Sequence, residues 1–345
     1  MITEDLEYIF HESMDLWEAF RNKKIFITGG TGFFGKWIVD AFIYANNKLS
    51  LNLQITLLVR NKSKCISIMS TWLNLNLINY IEGDVRSFEF PESNYDYILH
   101  AATDTSLTHA VEKSAYNLDV IINGTKHVLD FAKYTKARDV LYISSGAVYG
   151  KQPQIIGNIE EDFEGAPRVD DVTSIYGEGK RIGELLSLQY SDSYGFNVKI
   201  ARCFTFVGPY MKLDGDLAIG NFIKDYINND KITVKGDGSP FRSYLYISEL
   251  VVWLLFILIK GKNCTPYNVG SDKPISIKSL AELIAGFGQK DLEVCICQKP
   301  VVILPSRYVP SVTKVNNHFG ITQKIDLDDM IKKTINWAFL EKENI

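Results

Sequence analysis

Residues 28–35 read Thr-Gly-Gly-Thr-Gly-Phe-Phe-Gly. They follow the apolar run KIFIT at 24–28 and precede a helix-patterned stretch from Lys36 to Ala45. Two glycine spacings overlap there, Gly30-x-Gly32-x-x-Gly35 and Gly29-x-x-Gly32-x-x-Gly35. A glycine spacing alone is weak, but a strand before it and a helix after it are the context that gives it meaning. Glycines allow a tight turn and let backbone N–H groups approach a pyrophosphate, and the helix N-terminus favours that negative charge. The candidate contacts are Gly29, Gly32, Phe33, Phe34 and Gly35. The competing reading is a plain glycine-rich turn.

The rest of the first 204 residues alternates in the same way. Strands are predicted at Gln54–Val59, Tyr97–His100, Val140–Ser144 and Val198–Phe204, and helices at Asn123–Tyr134 and Tyr176–Tyr190. Continuous apolar strands separated by helices imply a parallel sheet covered on both faces. The fold class expected is therefore α/β: a Rossmann doubly wound sheet with a smaller C-terminal α/β substrate-binding lobe. The expected divisions are a helical extension over 1–22, a dinucleotide-binding domain over 23–204 and the lobe over 205–345, with 245–272 returning to the first domain. In the extension, Leu6, Ile9, Phe10, Met14, Leu16 and Trp17 approximate one helix over 2–20.

Composition removes several function classes. The chain has 345 residues, 46% of them hydrophobic, and a net charge of −4, so neither disorder nor a basic nucleic-acid surface is expected. Its apolar run Leu250–Ile259 is about half a membrane span and reads as a buried helix. The N-terminus shows no secretory signal, and the five cysteines are scattered without a CxxC. The expectation is a reduced, cytoplasmic protein with no metal site and no membrane association.

At the end of the second strand, dinucleotide folds often carry an acid for the ribose 2′-hydroxyl. Here the segment is Leu58-Val59-Arg60-Asn61-Lys62. A guanidinium suits a 2′-phosphate, which leans the cofactor toward NADP; alternatively Arg60 lies over the adenine of NAD. Asp84, in Gly83-Asp84-Val85, could meet the adenine amino group or be an ordinary turn aspartate.

Tyr176-Gly-Glu-Gly-Lys180 puts a phenol and an ammonium on one helical face. The ammonium favours the phenolate, which can remove a proton from a hydroxyl while hydride leaves the same carbon. Ser144-Ser145-Gly146-Ala147-Val148-Tyr149-Gly150 ends a strand, where such folds keep their sites.

With these motifs in order, the chain resembles the extended short-chain dehydrogenase/reductases acting on nucleotide sugars, of the UDP-galactose 4-epimerase type. The resemblance spans roughly 24–320 and includes LHAA at 99–102, NGT at 123–125, RCFTFVGP at 202–209, GNFI at 220–223, FRSYLYISEL at 241–250 and NVGS at 268–271. It implies a catalytic triad of Ser145, Tyr176 and Lys180, and NAD or NADP held also by Val85, Ala101, Ala102 and Thr103. It implies a nucleotide-diphosphate sugar contacted by Thr105, Ser145, Thr205, Asn221, Arg242 and Arg307, and a homodimer through the helices at 123–134 and 176–190. Family dehydratases follow the serine position with Asp-Glu, the decarboxylase places glutamate second, and GDP-fucose synthase places cysteine there. This chain has Gly146 and Ala147, which transfer no protons, and Tyr210 where the fucose synthase has a histidine base. What remains is a 4-epimerase or a 4-dehydrogenase/4-ketoreductase. Gly146 and Ala147 are expected to leave room beside the sugar. Departures from the family pattern are Ile121, Thr205 and Ser243 in place of two asparagines and an aspartate. If Asp104 substitutes for the missing acid, a 4,6-dehydratase is the alternative; a non-catalytic dinucleotide sensor is the alternative of another class.

Overall fold

The computed structural model describes residues 2–68, 77–103, 111–288, 292–299 and 305–343; Asp104 and Thr105 lie outside the described residues. In chain order the strands are β1 Lys24–Thr28, β2 Gln54–Val59, β3 Ile78–Glu82, β4 Tyr97–His100, β5 Asp139–Ser145, β6 Asn197–Cys203, β7 Phe206–Val207, β8 Ile232–Val234, β9 Phe241–Arg242, β10 Leu245–Tyr246, β11 Pro266–Val269, β12 Ile275–Ser276, β13 Val294–Ile296 and β14 Arg307–Tyr308. The helices are α1 Ile2–Glu12, α2 Phe33–Leu49, α3 Lys62–Ile68, α4 Val111–Thr135, α5 Ile175–Tyr194, α6 Ala218–Ile227, α7 Ile247–Lys260, α8 Ile277–Ala285, α9 Thr313–Phe319 and α10 Leu327–Glu343.

Seven strands form one sheet in the order β11-β6-β5-β4-β1-β2-β3, and every pairing in it is parallel. Each residue of β4 and β5 is buried, because helices cover both faces. The strand order reverses between β1 and β4, so a crevice opens beyond their carboxyl ends. Thr28 and His100 end those strands, and Ser145 ends β5 beside them.

The C-terminal lobe is built differently. Its sheets are β12-β9-β14, β13-β8 and β10-β7, and none of their strands exceeds three residues. The apolar helix α7 is buried from Ile247 through Leu258. Among the described residues no helix is long and apolar enough to cross a membrane.

The N-terminal segment is not one helix. The α-helix ends at Glu12 and a 3-10 turn runs from Met14 to Phe20. The tighter coil turns Leu16, Trp17 and Phe20 inward together, and Trp17 Nε1 donates to Phe10 O at 2.9 Å. Both Trp17 and Phe20 set their rings edge-on against Phe42 of α2. Asp5, fully buried, accepts from Tyr246 Oη at 2.8 Å and Lys333 Nζ at 2.6 Å. The extension therefore ties α2, the start of α7 and α10 together.

Candidate active site

The end of β5 is organised by a serine. Ser145 Oγ accepts from Ala147 N–H at 3.1 Å, capping the 3-10 turn Gly146–Tyr149 and leaving its own proton to donate. Tyr176 stands in the first turn of α5, half-buried, and its phenol hydrogen-bonds with that hydroxyl. Burial pushes its pKa up to about 12, and hydrogen bonding with Ser145 pulls it back. One turn on, Lys180 Nζ donates to Ile143 O at 2.8 Å and lies 6.0 Å from the centre of the Tyr176 ring. Desolvation pushes the Lys180 pKa down to about 8, and Glu184 opposes that shift. The structure thus brings together the three residues that the sequence singled out as catalytic.

The glycine loop is closely fitted. Gly29 has φ +74°, and a Cβ on it would come within 2.7 Å of the backbone of Ala101 and Ala102. A Cβ on Gly35 would meet Gly29 O at 2.1 Å. Gly32 caps α2, and its N–H bonds back to Gly29 O at 3.0 Å. Phe33 and Phe34 lie half-buried behind the turn, with Phe34 edge-on to Phe206. Ala101 N–H bonds to Thr28 O, and Ala102 N–H to Thr28 Oγ1 at 3.1 Å. Thr103 Oγ1 is buried without a hydrogen-bond partner among the described residues, as a group awaiting a ligand would be. Val85 fills the space above Gly124, where a Cβ would come within 2.8 Å of it. Asp84 accepts from the Arg86 guanidinium at 2.7 and 2.8 Å, which holds its pKa down near 2 and its carboxylate in place. Arg60 is exposed beyond β2, and its charge also lowers the pKa of Asp84. A cradle shaped by missing side chains, with a free hydroxyl and a fixed carboxylate, fits a dinucleotide.

Beneath the crevice, burial holds His100 neutral, with its pKa near 3. Its Nδ1 lies 2.8 Å from Thr28 Oγ1 and its Nε2 3.1 Å from Thr125 Oγ1. The LHAA and NGT segments are thereby joined.

In the lobe, Arg242 is half-buried and makes no ion pair among the described residues; desolvation lowers its pKa. It pairs in register with Tyr308, whereas Arg307 pairs with Phe241 and lies over that ring at 4.9 Å. Neighbouring strand residues face opposite ways, so the two arginines are not on one face. Arg307 Nε instead donates to Gly157 O at 3.0 Å. Asn221 Nδ2 donates to Gly215 O and Leu217 O, a local loop bond. Thr205 is buried after β6, and its carbonyl accepts from Leu245 N–H at 3.1 Å.

One finding amends the sequence reading, and a second locates Tyr210. Gly146 leaves no room beside a sugar: a Cβ there would come within 2.6 Å of the Phe204 ring, which already occupies the space. Tyr210 has φ +72° and packs its ring against Lys36, Trp37 and Trp337. One residue was missed. Tyr308 is half-buried, hydrogen-bonds with Ser145 and interacts with Tyr176, so a second phenol stands beside the candidate pair; burial raises its pKa and Ser145 opposes the rise. Its signal was its place beside Arg307, one residue along a strand too short to show a period.

The model of a family described as the NAD dependent epimerase/dehydratase family matches residues 25–270. UDP-glucuronic acid decarboxylase 6 of Arabidopsis thaliana is 28% identical over 306 residues, covering 89% of this chain and 86% of that protein. The structure of UDP-N-acetylglucosamine 4-epimerase from Methanobrevibacter ruminantium, in complex with UDP-N-acetylmuramic acid, aligns at a TM-score of 0.80 and 21% identity, covering 93% of this chain and 99% of that one. That of dTDP-glucose 4,6-dehydratase from Bacillus anthracis, in complex with NAD, aligns at 0.74 and 20% identity, covering 93% and 98%. At those identities the two structures establish the fold.

Proposed function

This chain belongs to the NAD dependent epimerase/dehydratase family, and from that premise we propose that it is an enzyme acting on a nucleotide-diphosphate sugar by hydride transfer at C4, as a 4-epimerase or a 4-dehydrogenase/4-ketoreductase. The observation that carries the reading is the half-buried Tyr176 hydrogen-bonded to Ser145, with Lys180 one turn on, and Gly146 and Ala147 following that serine in sequence. Tyr176 removes the proton of the sugar 4-hydroxyl. Ser145 shares that proton through its hydroxyl, and Lys180 supplies the positive charge that favours the phenolate. A bound nicotinamide dinucleotide supplies the hydride acceptor and donor. The glycine turn, Thr103 and Asp84 are the residues that would hold it.

The curated relative is a decarboxylase, yet Ala147 has no proton to give where the decarboxylase places a glutamate. The 4,6-dehydratase reading needs Asp104, which lies outside the described residues, to act in place of the acid absent at 146–147. Arg242, a desolvated cation without an ion pair among the described residues, supports diphosphate recognition. The family description and the NAD in the solved dehydratase support NAD. Arg60 supports NADP, and comparing the two dinucleotides in binding decides between them. Ile182, Leu185, Leu188 and Tyr194 of α5 and Tyr134 of α4 are exposed, which supports a homodimer through these helices; light scattering tests it.

The experiment is to denature the purified protein, identify any released dinucleotide by mass, and follow UDP-sugars by NMR with the protein. Interconversion of C4 epimers with bound NAD(H) retained supports the epimerase. Net change in the nicotinamide supports the oxidoreductase. Release of carbon dioxide from UDP-glucuronic acid, or loss of water from a UDP- or dTDP-hexose, overturns both.

A further inference from the structure

Tyr176, Lys180 and Glu184 stand at successive four-residue steps on one face of α5. The first two belong to the proposed chemistry. Glu184 does not touch it and is nonetheless buried. It accepts from Ser144 Oγ at 2.5 Å, and from Arg202 Nε at 3.0 Å and Nη2 at 2.7 Å. Ser144 and Arg202 are paired across β5 and β6 in register. Glu184 therefore grips two neighbouring strands at one level. The stripe as a whole fastens α5 to three consecutive residues of β5: Lys180 to Ile143 O, Glu184 to Ser144 and Tyr176 to Ser145.

We propose that Glu184 is a positioning residue that fixes the register of α5 on the sheet, and so the approach of Tyr176 to Ser145, while balancing the half-buried charge of Arg202. This rests on the reading of Tyr176 as the proton-transferring group. A buried carboxylate–guanidinium pair is a costly device if packing is all that is needed, since well-packed apolar residues serve equally well. Its location one turn from Lys180 gives it a further use. The groups facing it are Lys180 on α5, Ser144 and Tyr142 on β5, Arg202 on β6 and Tyr149 on the 3-10 turn; behind them, Cys203 faces Lys180, and the carbonyl of Glu161, on the loop before α5, accepts from Arg202. Arg202 is the strong cation of that set, and it also lies over the Tyr149 ring at 4.7 Å. Neutralising Glu184 leaves the Arg202 charge unbalanced. The added positive field favours the Tyr176 phenolate and disfavours the Lys180 ammonium, so both groups titrate at lower pH.

The test uses the holoenzyme saturated with NAD. The difference in tyrosinate absorption between wild type and Tyr176→Phe gives the titration midpoint of Tyr176. The same difference is measured between Glu184→Gln and the Glu184→Gln/Tyr176→Phe double variant. We expect the midpoint to fall by about half a pH unit or more. With a turned-over sugar in hand, kcat falls roughly tenfold to a hundredfold while KM changes little, as expected for a misplaced proton-transferring group. Arg202→Met moves the midpoint the other way, so it keeps the test open if Glu184→Gln does not fold. Ser144→Ala lowers kcat without moving the midpoint. A midpoint that stays put in folded Glu184→Gln or Arg202→Met overturns the proposal. The titration needs no substrate, so absence of sugar turnover would count against the proposed function and leave this result readable.

Discussion

The catalytic edge and the substrate lobe meet at Ser145 and are built on different terms. On the catalytic side, a seven-residue strand and a twenty-residue helix present Tyr176, Lys180 and Ser145, and each is tied to sheet or cap within hydrogen-bonding distance. On the lobe side, Arg242 and Arg307 ride on strands of two residues each, and among the described residues Arg242 donates to its neighbour's carbonyl. The join between them is a stack of rings, Phe204 against Gly146 and, at 4.7 Å, against Tyr308. On the proposed reading, the difference teaches that the chemistry is placed before a ligand arrives, whereas the lobe's cations are held by few contacts and retain donors for an anion.

That contrast is broken most severely by removing the phenol. Tyr176→Phe is expected to lower kcat by about a thousandfold or more, while dinucleotide binding, followed by calorimetry, persists. Loss of binding instead would mean that Tyr176 serves the cradle rather than the proton. On the lobe side the effect should fall on affinity. Arg242→Ala is expected to raise KM for the nucleotide sugar roughly a hundredfold, the worth of a desolvated charge-assisted contact, with kcat nearly intact. Arg307→Ala should cost about tenfold or less, since its guanidinium is turned toward Gly157 and Phe241. Equal effects from the two arginines would show that the lobe rearranges to put both on the diphosphate.

The ring stack can be tested separately from either side. Gly146→Ala drives a Cβ to 2.6 Å from Phe204, so overpacking should destabilise the fold by about 2 kcal/mol in urea unfolding. Adding Phe204→Leu should recover part of that. Full stability in Gly146→Ala would show that the rings shift freely, and the room beside the sugar expected from sequence would be real after all.

Regular elements were legible because their side-chain periods are fixed. Tyr176 and Lys180 share a face on any helix, and the glycine turn has one conformation that lets α2 follow β1. The doubly wound sheet followed from its apolar strands. The rest depended on distant partners. The N-terminal segment tightened into a 3-10 turn to seat Trp17 and Phe20 on Phe42, a contact that helical spacing does not encode. Gly146 read as open space because the ring filling it comes from residue 204. Tyr308 and the opposed arginines are set by the pairing of β9 with β14, whose partners are 66 residues apart in sequence, and two-residue strands carry no pattern. Glu184 was passed over because its partners lie on two other strands.

The smallest effect expected concerns the protonation of Lys180 and probes how fully the catalytic edge is formed without ligand. Burial lowers its pKa to about 8 in the folded protein, against 10.5 when exposed. Between those values the unfolded chain binds more protons than the folded one, so stability rises with pH in that window. Integrated from pH 8 to ~9, the gain is about 1 kcal/mol. Tyr176 acts in the opposite sense at higher pH: its pKa is raised to about 12, so the folded form keeps its proton longer and stability falls above about 10. Urea unfolding of the ligand-free protein at the two pH values, beside Lys180→Met, isolates the lysine. The variant should lose the rise. If both proteins gain equally, Lys180 is hydrated before ligands arrive, and the catalytic edge is as unfinished as the lobe.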